Sequence, residues 1–447
     1  MTRLHLEILK KPTEARPEDL QASLKFAFGE GANASRNYLE AFIELLKTPL
    51  DDSVHIFILE GLALWHPTLA KHKNVQKSII EQVSTIAFSS MSPLVRLKAT
   101  MALVSMLSVF TEMSSVALKL CYRAFHQSCQ RSITSHTLPM LSMSTNVLLE
   151  VLKTNSEEGR AFVLKLMRQL ADNLYKSLKD PKLAISVLSW KWVAPLRLCA
   201  SYCATNSSLH LPFIGLVKCA FGVRLALPTL PFHFHLLHSL VGYENHIPEA
   251  FGHLLSILST LEATRSRAET AKPKHFALAT LITSSDSESS MRSFHDVCID
   301  ESFYLLMKLL PTKSIILAEV CDNLVIALSS FHKNPRIRNH AKLFNESLRK
   351  ASEAFKKSRL EFTPIRCDDF IPNGDEILKD LVEQQEKLRC LKATIATTEK
   401  AAPPKQAVKE NKKRPQKEPK RALPKKRQQE FFDDQIEEMH LSSSDSE

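Results

Sequence analysis

Glycine is scarce in this chain: it accounts for nine of the 447 residues, against a usual share of about 7 %. Sandwiches, barrels and nucleotide-binding α/β folds use glycine in tight turns and where the backbone approaches a phosphate. Such features can therefore be few here. Leucine, alanine and lysine are abundant instead, and these residues favour helices. A chain of this length should also be either multi-domain or elongated.

Paired cysteines and long apolar runs are also missing. The nine cysteines are scattered without a CxxC pair, so a reducing compartment is expected rather than a disulfide framework. No apolar run approaches the roughly 18 residues of a membrane-spanning helix, and the start of the chain is too charged for a secretory signal. We therefore expect a soluble intracellular protein with no membrane partner. Most cysteines should be small buried hydrophobes within apolar helical runs, as at Cys121, Cys199, Cys219 and Cys321.

The motifs of common enzymes are absent as well. The sequence has no nucleophile elbow, no phosphate-cradling glycine loop, no HExxH motif and no paired carboxylates in an apolar setting. A catalytic triad can be assembled from distant residues, but the scarcity of glycine argues against most enzyme folds. The prediction is a non-catalytic protein with no cofactor and no small-molecule substrate.

Two clusters invite a metal interpretation that their spacing does not favour. In the segment PFHFHLLH, His235 and His238 share a helical face, but His233 does not join them, and no Cys or carboxylate stands at ligand spacing nearby. Cys199 and Cys203 are four residues apart and lack a third and a fourth ligand. Packing or capping histidines and core cysteines are expected instead.

Four aromatic residues could stack nucleic-acid bases. They lie at helical spacing on apolar faces, where aromatic residues more often belong to a core, and the core is the interpretation favoured here. The four residues are Trp190, Trp192, Tyr175 and Tyr202.

Pro, Ser, Asn and Asp interrupt the chain at intervals that predict a series of helices. The spacing is roughly 20 residues per helix and roughly 40 per hairpin, the period of stacked helical pairs. In residues 89–107 a Ser-Pro start is followed by an order of residues that resembles the second helix of a HEAT repeat: Val95, Arg96, Ala99, Leu103 and Leu107. The predicted helix starts lie near Pro17, Ser35, Asp52, Ser92, Ser114, Ser135, Ser156, Asp180, Ser207, Pro228 and Pro248.

The predicted fold class is all-α: an α-solenoid of HEAT- or armadillo-like helical hairpins, with one or two short extended segments and a disordered basic C-terminal tail. Residues 1–262 should form the solenoid, and residues 300–399 should add further helices to it. Residues 263–299 should be a polar loop with a short strand at 275–283. We expect that strand to pair with a second extended segment at 360–366. Residues 400–447 should be the disordered tail, basic and then acidic.

Two amphipathic helices between residues 154 and 203 are the most informative part of the sequence. The first should end before Asp180 and Pro181, which restart the chain as an N-cap and a first-turn proline. The second should run on from Pro181 and carries two of the three tryptophans. The predicted buried stripe of the first helix recurs every four residues at Phe162, Leu166, Leu170, Leu174 and Leu178, widened by Val163 and Met167. Lys165, Arg168, Gln169, Asp172, Asn173 and Lys176 should lie off that stripe.

The tail is strongly bipolar. Residues 400–427 hold twelve Lys or Arg against two Glu, and residues 428–447 hold seven acidic residues and no Lys or Arg. Prolines keep the basic clusters extended, so we interpret them as a nuclear or nucleolar targeting signal, read by an import receptor, that can also contact RNA phosphates. Ser442 and Ser444 each precede an acidic residue by three positions and are candidate phosphorylation sites. The basic residues singled out are Lys412, Lys413, Arg414, Lys417, Lys420, Arg421, Lys425, Lys426 and Arg427.

Several blocks resemble, in the same order and spacing, the nucleolar complex protein 2 family of ribosome-assembly factors. They extend over roughly residues 115–375. The blocks are LKLCYRAF at 118–125, RAFVLKLMRQLADNLYKSL at 160–178, SVLSWKWVAPLRLC at 186–199, RLALPTLPFHFHLLHSL at 224–240, KPKHFALATLI at 272–282 and FKKSRLEF at 355–362.

The resemblance implies a nucleolar scaffold on precursors of the large ribosomal subunit. Its implied partners are other nucleolar complex proteins, which are helical-repeat proteins themselves, and pre-ribosomal particles with their pre-rRNA. Its implied location is the nucleus and the nucleolus. Two other classes are alternatives. A nuclear transport adaptor is also a helical solenoid, but the basic tail argues against it. A chromatin-associated co-regulator fits a solenoid and a basic tail equally well.

Overall fold

The computed structural model describes residues 32–48, 51–62, 66–130, 133–243, 247–267, 275–310, 316–361 and residue 383. These residues belong to one compact unit, Met1–Ala393. A second unit, Thr394–Glu447, contains none of them. The helix predicted near Pro17 and the whole predicted tail therefore lie outside the described residues, and the four-part division of the chain stays a prediction.

The described residues form α-helices, which we number in chain order. Up to residue 130 these are α1 (Ala32–Lys47), α2 (Asp52–Gly61), α3 (His66–Leu69), α4 (Lys73–Ser89), α5 (Pro93–Val109) and α6 (Ser114–Cys129). The central group is α7 (Leu138–Thr154), α8 (Ser156–Lys179), α9 (Ala184–Val187), α10 (Trp190–Ala204), α11 (His210–Ala220) and α12 (Leu230–Leu240). The last group is α13 (Ile247–Ala263), α14 (Asp286–Ser289), α15 (Arg292–Lys308), α16 (Leu317–Ser329) and α17 (Pro335–Glu361).

The described part of the chain contains no β-strand, and the all-α prediction is confirmed. An isolated parallel bridge joins Arg267 to Met291. Each long helix packs mainly on helices one to three places away along the chain: α4 contacts α5 and α6, α6 contacts α7, and α16 contacts α17. Stacked helical hairpins have this order of contacts. That the helices form a solenoid, and that its hairpins are of the HEAT or armadillo class, stays a prediction.

Most helices begin where polar and proline residues predict a start. Ser92 precedes α5 with Pro93 in its first turn, and Asn155 caps α8 by accepting a hydrogen bond from the backbone N–H of Glu158 at 3.3 Å. The helix α4 was not predicted, because it begins at Lys73 after His72, and neither residue is of a type that marks a helix start. Capping residues thus reveal helix starts only where the sequence uses them.

Arg96 joins three helices in the interior. Its side chain is fully buried; Nε donates to the carbonyl oxygen of Ala87 at the end of α4, at 2.8 Å, and Nη2 donates to the hydroxyl of Ser144 in α7, at 2.6 Å. Burial lowers the pKa of the guanidinium. The planar fork of an arginine can satisfy acceptors on two neighbouring helices at once.

The strand predicted at 275–283 is wrong. Its centre is a 3-10 turn, Leu278–Thr280, and the flanking residues are neither helix nor strand. Helix side chains bind its backbone instead: Nε1 of Trp190 donates to the carbonyl oxygen of Thr280 at 3.3 Å, and Nε2 of His235 lies 2.9 Å from that of Leu281. The apolar residues that suggested a strand dock the segment onto helices. Of the second predicted segment, residues 360 and 361 end α17 and residues 362–366 lie outside the described residues.

The second informative helix does not run on from Pro181. A 3-10 turn and α9 come first, and α10 begins only at Trp190. The break falls at Ser189, whose backbone is extended (φ −144°, ψ 157°) and whose hydroxyl donates to the carbonyl oxygen of Ser186 at 2.6 Å. Asp180 does act at the restart, since its carboxylate accepts a hydrogen bond from the backbone N–H of Lys182 at 2.9 Å.

Candidate interaction surfaces

The predicted core of the informative helices is largely confirmed. Phe162, Leu166, Leu170 and Leu174 are buried on α8. Trp192 is fully buried on α10, packs against Phe232 with ring centroids 5.7 Å apart, and donates through Nε1 to the carbonyl oxygen of Leu170 at 3.1 Å. Tyr202 is buried too. These rings are therefore core residues and cannot stack nucleic-acid bases.

Three residues of α8 depart from the prediction. Leu178 is 49 % exposed and Tyr175 is 59 % exposed, whereas Asn173 is buried. A four-residue spacing turns about 40° too far at each step, since a helix has about 3.6 residues per turn. The predicted stripe has therefore rotated to the surface by Leu178. The ring of Tyr175 lies under Lys179, whose Nζ is 4.2 Å from the ring centroid.

The three histidines of α12 are used for packing and hydrogen bonding. His233 and His235 are buried; Nδ1 of His233 lies 2.9 Å from Nε2 of His253. His238 is less buried, and its Nε2 lies 2.6 Å from a carboxylate oxygen of Glu301 on α15. Burial, with the neighbouring His253 as a second cause, lowers the pKa of His233 to about 3. Burial first, and Arg197 next, lower the pKa of His235 to about 3.

Cys199 and Cys203 are core residues, as predicted. Burial raises the pKa of the Cys203 thiol to about 12, which keeps it protonated and unreactive. Cys121 and Cys321 are buried as well, but Cys219 is exposed near the end of α11, so its predicted burial is wrong. Among the residues that the structure describes, no three His, Cys, Asp or Glu side chains are arranged to hold a metal ion.

Helix α5 carries apolar residues on both faces. Val95, Ala99 and Leu103 are buried, whereas Leu97 and Met101 remain 51 % and 56 % exposed. The exposed apolar face consists of Leu94, Leu97, Met101 and Val109, with Met91 just before the helix. Exposed apolar residues that cluster in this way mark sites of protein–protein contact.

No single described helix is long and apolar enough to cross a membrane. The pair Pro93–Val109 and Thr111–Cys129, which is bent by 116°, passes that test together by length and composition. The two apolar faces of α5 contribute to this result.

Helix α17 is the most basic helix among the described residues, with eight Lys or Arg against three Glu. Arg336 forms an ion pair within the fold, because its Nη2 donates to both carboxylate oxygens of Asp300 on α15 at 2.9 Å. Lys356 pairs with Asp322 of α16 at 2.6 Å. Further cations of α17 line an open groove of about 540 Å³ beside the end of α16. They are Arg338, Lys342, Arg349 and Lys350.

The tail residues singled out in the sequence, from Lys412 to Arg427 together with Ser442 and Ser444, lie outside the described residues. Neither their role in targeting nor their contact with RNA is tested, and both stay predictions. Sequence patterns did not single out the exposed face of α5 or the groove of α17, because periodicity alone does not separate a partner surface from a face packed on the next hairpin.

The described residues form helices with packed polar side chains inside and with apolar and basic helix faces exposed. Residues 112–370 match the model of the Noc2p family, and the chain belongs to this family. This match confirms the resemblance seen in the sequence blocks. A search of curated proteins found no match. The family consists of nucleolar ribosome-assembly factors that are generally not enzymes, and the chain is a ribosome biogenesis factor.

Proposed function

We propose that the protein is a non-catalytic scaffold on precursors of the large ribosomal subunit. In this proposal it pairs with another nucleolar complex protein, contacts pre-rRNA during assembly and intranuclear transport, and enters the nucleus through an import receptor bound to the basic tail. The observation that carries the proposal is the family match over residues 112–370. The exposed apolar face of α5 supports a protein partner.

The pairing can be tested with tagged full-length protein purified from nuclei after RNase treatment. Another nucleolar complex protein should remain bound, while pre-rRNA should be lost. The double substitution Leu97→Gln, Met101→Gln should abolish the pairing because it places amides in an apolar interface. Ile326→Gln with Leu343→Gln is the matched control, since both residues are exposed apolar residues on other helices. The control variant should keep the partner. If the partner stays bound to the α5 variant and is lost from the control variant, the assignment of the interface to α5 is refuted.

Nuclear import gives a second test at the tail. Deletion of residues 401–447 removes eleven of the twelve Lys or Arg of the basic segment, so the truncated protein should accumulate in the cytoplasm. Fluorescence microscopy of the tagged protein measures the nuclear fraction. Unchanged nuclear accumulation of the truncated chain would show that the targeting signal is elsewhere.

A further inference from the structure

The groove beside α17 offers three cations that no described carboxylate neutralises by an ion pair. Arg338, Lys342 and Arg349 are exposed and form no salt bridge within the described part of the chain, whereas Lys350 pairs with Glu346 at 2.9 Å. Glu353 also lines the groove. The charge of Lys342 does act on Glu346, whose pKa is lowered mainly by Lys350 and in small part by Lys342. Because none of the three cations is held in a salt bridge, each can accept an anionic ligand without first breaking one.

The three cations lie along one line of the helix. Lys342 and Arg349 follow Arg338 by four and eleven residues. They are therefore rotated about the helix axis from Arg338 by only about 40° and about 20°, and the three side chains leave α17 in nearly one direction. They extend over about 17 Å of the axis at about 1.5 Å per residue. This is the arrangement that an extended, repeating anion such as a nucleic-acid strand can follow.

The lining of the groove favours a nucleic acid over an acidic protein. Leu328, Phe331 and Ala341 line it and are themselves buried. Every exposed residue of the lining is charged or polar, although more of the accessible surface in the groove is apolar than polar. Protein interfaces usually have a core of apolar side chains, and this groove presents no exposed apolar side chain. Asn345 also lines the groove and is held by its Nδ2, which donates to the hydroxyl of Ser329 at 3.1 Å. The wall is therefore anchored to α16 beneath the cations.

We propose that this groove, lined by Arg338, Lys342 and Arg349, binds the phosphate backbone of single-stranded RNA. This inference rests on the proposed function, in which the protein contacts pre-rRNA, and assigns part of that contact to a surface of the helical body. Lys350 can exchange Glu346 for a phosphate, because the exposed pair with Glu346 contributes little to stability.

The test compares two full-length variants in binding a fluorescein-labelled oligouridine of 20 nucleotides. The groove variant combines Arg338→Gln, Lys342→Gln and Arg349→Gln. The matched control removes three exposed cations of other helices and turns, with Lys71→Gln, Lys77→Gln and Arg123→Gln. All six side chains are exposed, so neither variant should disturb the packing of the fold.

Fluorescence anisotropy at several salt concentrations should show about a tenfold loss of affinity for the groove variant near 0.15 M salt, and a salt dependence shallower by about 2 in log–log slope. The control should keep the affinity and slope of the wild type. Ultraviolet cross-linking of the wild type should place RNA on peptides of α17 as well as on the tail. Equal losses in both variants, no loss in either, or cross-links confined to the tail would overturn the inference.

The assay separates this inference from the proposed function. Because the RNA is synthetic, its binding does not depend on whether the protein joins large-subunit precursors in the cell. If the wild type joins precursors and the groove variant binds RNA normally, only the assignment of RNA binding to the groove is refuted. If the wild type is absent from precursors and the groove variant loses RNA binding, the proposed function is refuted and the groove assignment is supported. Poly-glutamate can be added as a competitor. If poly-glutamate binds in the groove and the RNA binds only to the tail, the groove is a peptide site and the inference is overturned.

Discussion

At the scale of single residues, Trp192 gives the strongest stability prediction. It is fully buried and its indole N–H is bonded to the carbonyl oxygen of Leu170. Trp192→Ala should lower the free energy of unfolding by about 3–5 kcal/mol, because it leaves a cavity and removes the hydrogen bond to the carbonyl oxygen of Leu170. Tyr175→Ala is the control and should change it by less than about 0.5 kcal/mol, since Tyr175 is exposed. Urea denaturation measures both, and a similar cost at the two positions would contradict the assigned burial.

The buried histidines predict a dependence of stability on pH. His233 and His235 have pKa values of about 3 in the folded chain, against 6.5 as ordinary value. Between these values the unfolded chain binds protons that the folded chain does not, so stability is complete above about pH 6.5 and falls as the pH decreases. At pH 5, each of these two histidines should lower the free energy of unfolding by about 2 kcal/mol relative to its value above about pH 6.5.

The substitution His235→Gln tests this dependence directly. A glutamine amide can still donate to the carbonyl oxygen of Leu281, which now lies 2.9 Å from His235, but it does not titrate. The difference in unfolding free energy between pH 7 and pH 5 should therefore shrink by about 2 kcal/mol in the variant. An unchanged difference would show that His235 does not contribute to the acid sensitivity.

At the scale of helices, Gly159 fixes the approach of α7 to α8. A Cβ at this position would lie 2.3 Å from the carbonyl oxygen of Leu152 and 3.0 Å from the hydroxyl of Tyr202. Gly159→Ala should therefore destabilise the protein by about 1–3 kcal/mol, because the backbones of the two helices must separate. This reverses the usual gain from replacing a helical glycine by alanine.

The matched control for that substitution is Gly252→Ala in α13. Nothing lies within 4 Å of a Cβ built at Gly252, so alanine should stabilise the helix by about 0.5–1 kcal/mol. Thermal unfolding followed by circular dichroism should thus give shifts of opposite sign. Shifts of the same sign would contradict the close packing at Gly159.

The sequence predicts helices better than it predicts their ends and faces. Ser92, Ser114 and Ser156 are predicted starts at or next to the observed ones, because capping and proline residues act locally. The burial predicted for Leu178 is wrong, because a four-residue spacing follows one face of a helix only over a short run. The angular error of about 40° per step then accumulates. The break at Ser189 was not predicted either; next to it, Trp190 donates to the carbonyl oxygen of Thr280, which lies far away along the chain.

The candidate surfaces show the same limit. The basic tail is visible in the sequence because its charges are contiguous. The groove cations at Arg338, Lys342 and Arg349 are interleaved with buried residues of α17, and only the position of α16 turns their line into a groove wall. The exposed face of α5 was equally hidden, since Leu97 and Leu103 are the same residue type on opposite sides of one helix.

At the scale of the whole molecule, family membership makes the protein a ribosome biogenesis factor, and we propose that it works by holding other molecules. Residues 112–370 carry the family match, and those of them that the structure describes all lie in one compact unit. Polar groups that could have suggested chemistry, including His233, His235 and Cys199, are engaged in packing. We therefore propose that the protein functions through its helix faces and its tail.

The most direct test of this account is sedimentation of a nuclear extract that contains the full-length protein with an N-terminal tag, with and without RNase. We predict that the tagged protein sediments with precursors of the large ribosomal subunit and that RNase releases it into a small complex with its protein partner. A small complex that RNase does not affect and that contains no ribosomal proteins would contradict the account and favour a transport or chromatin function.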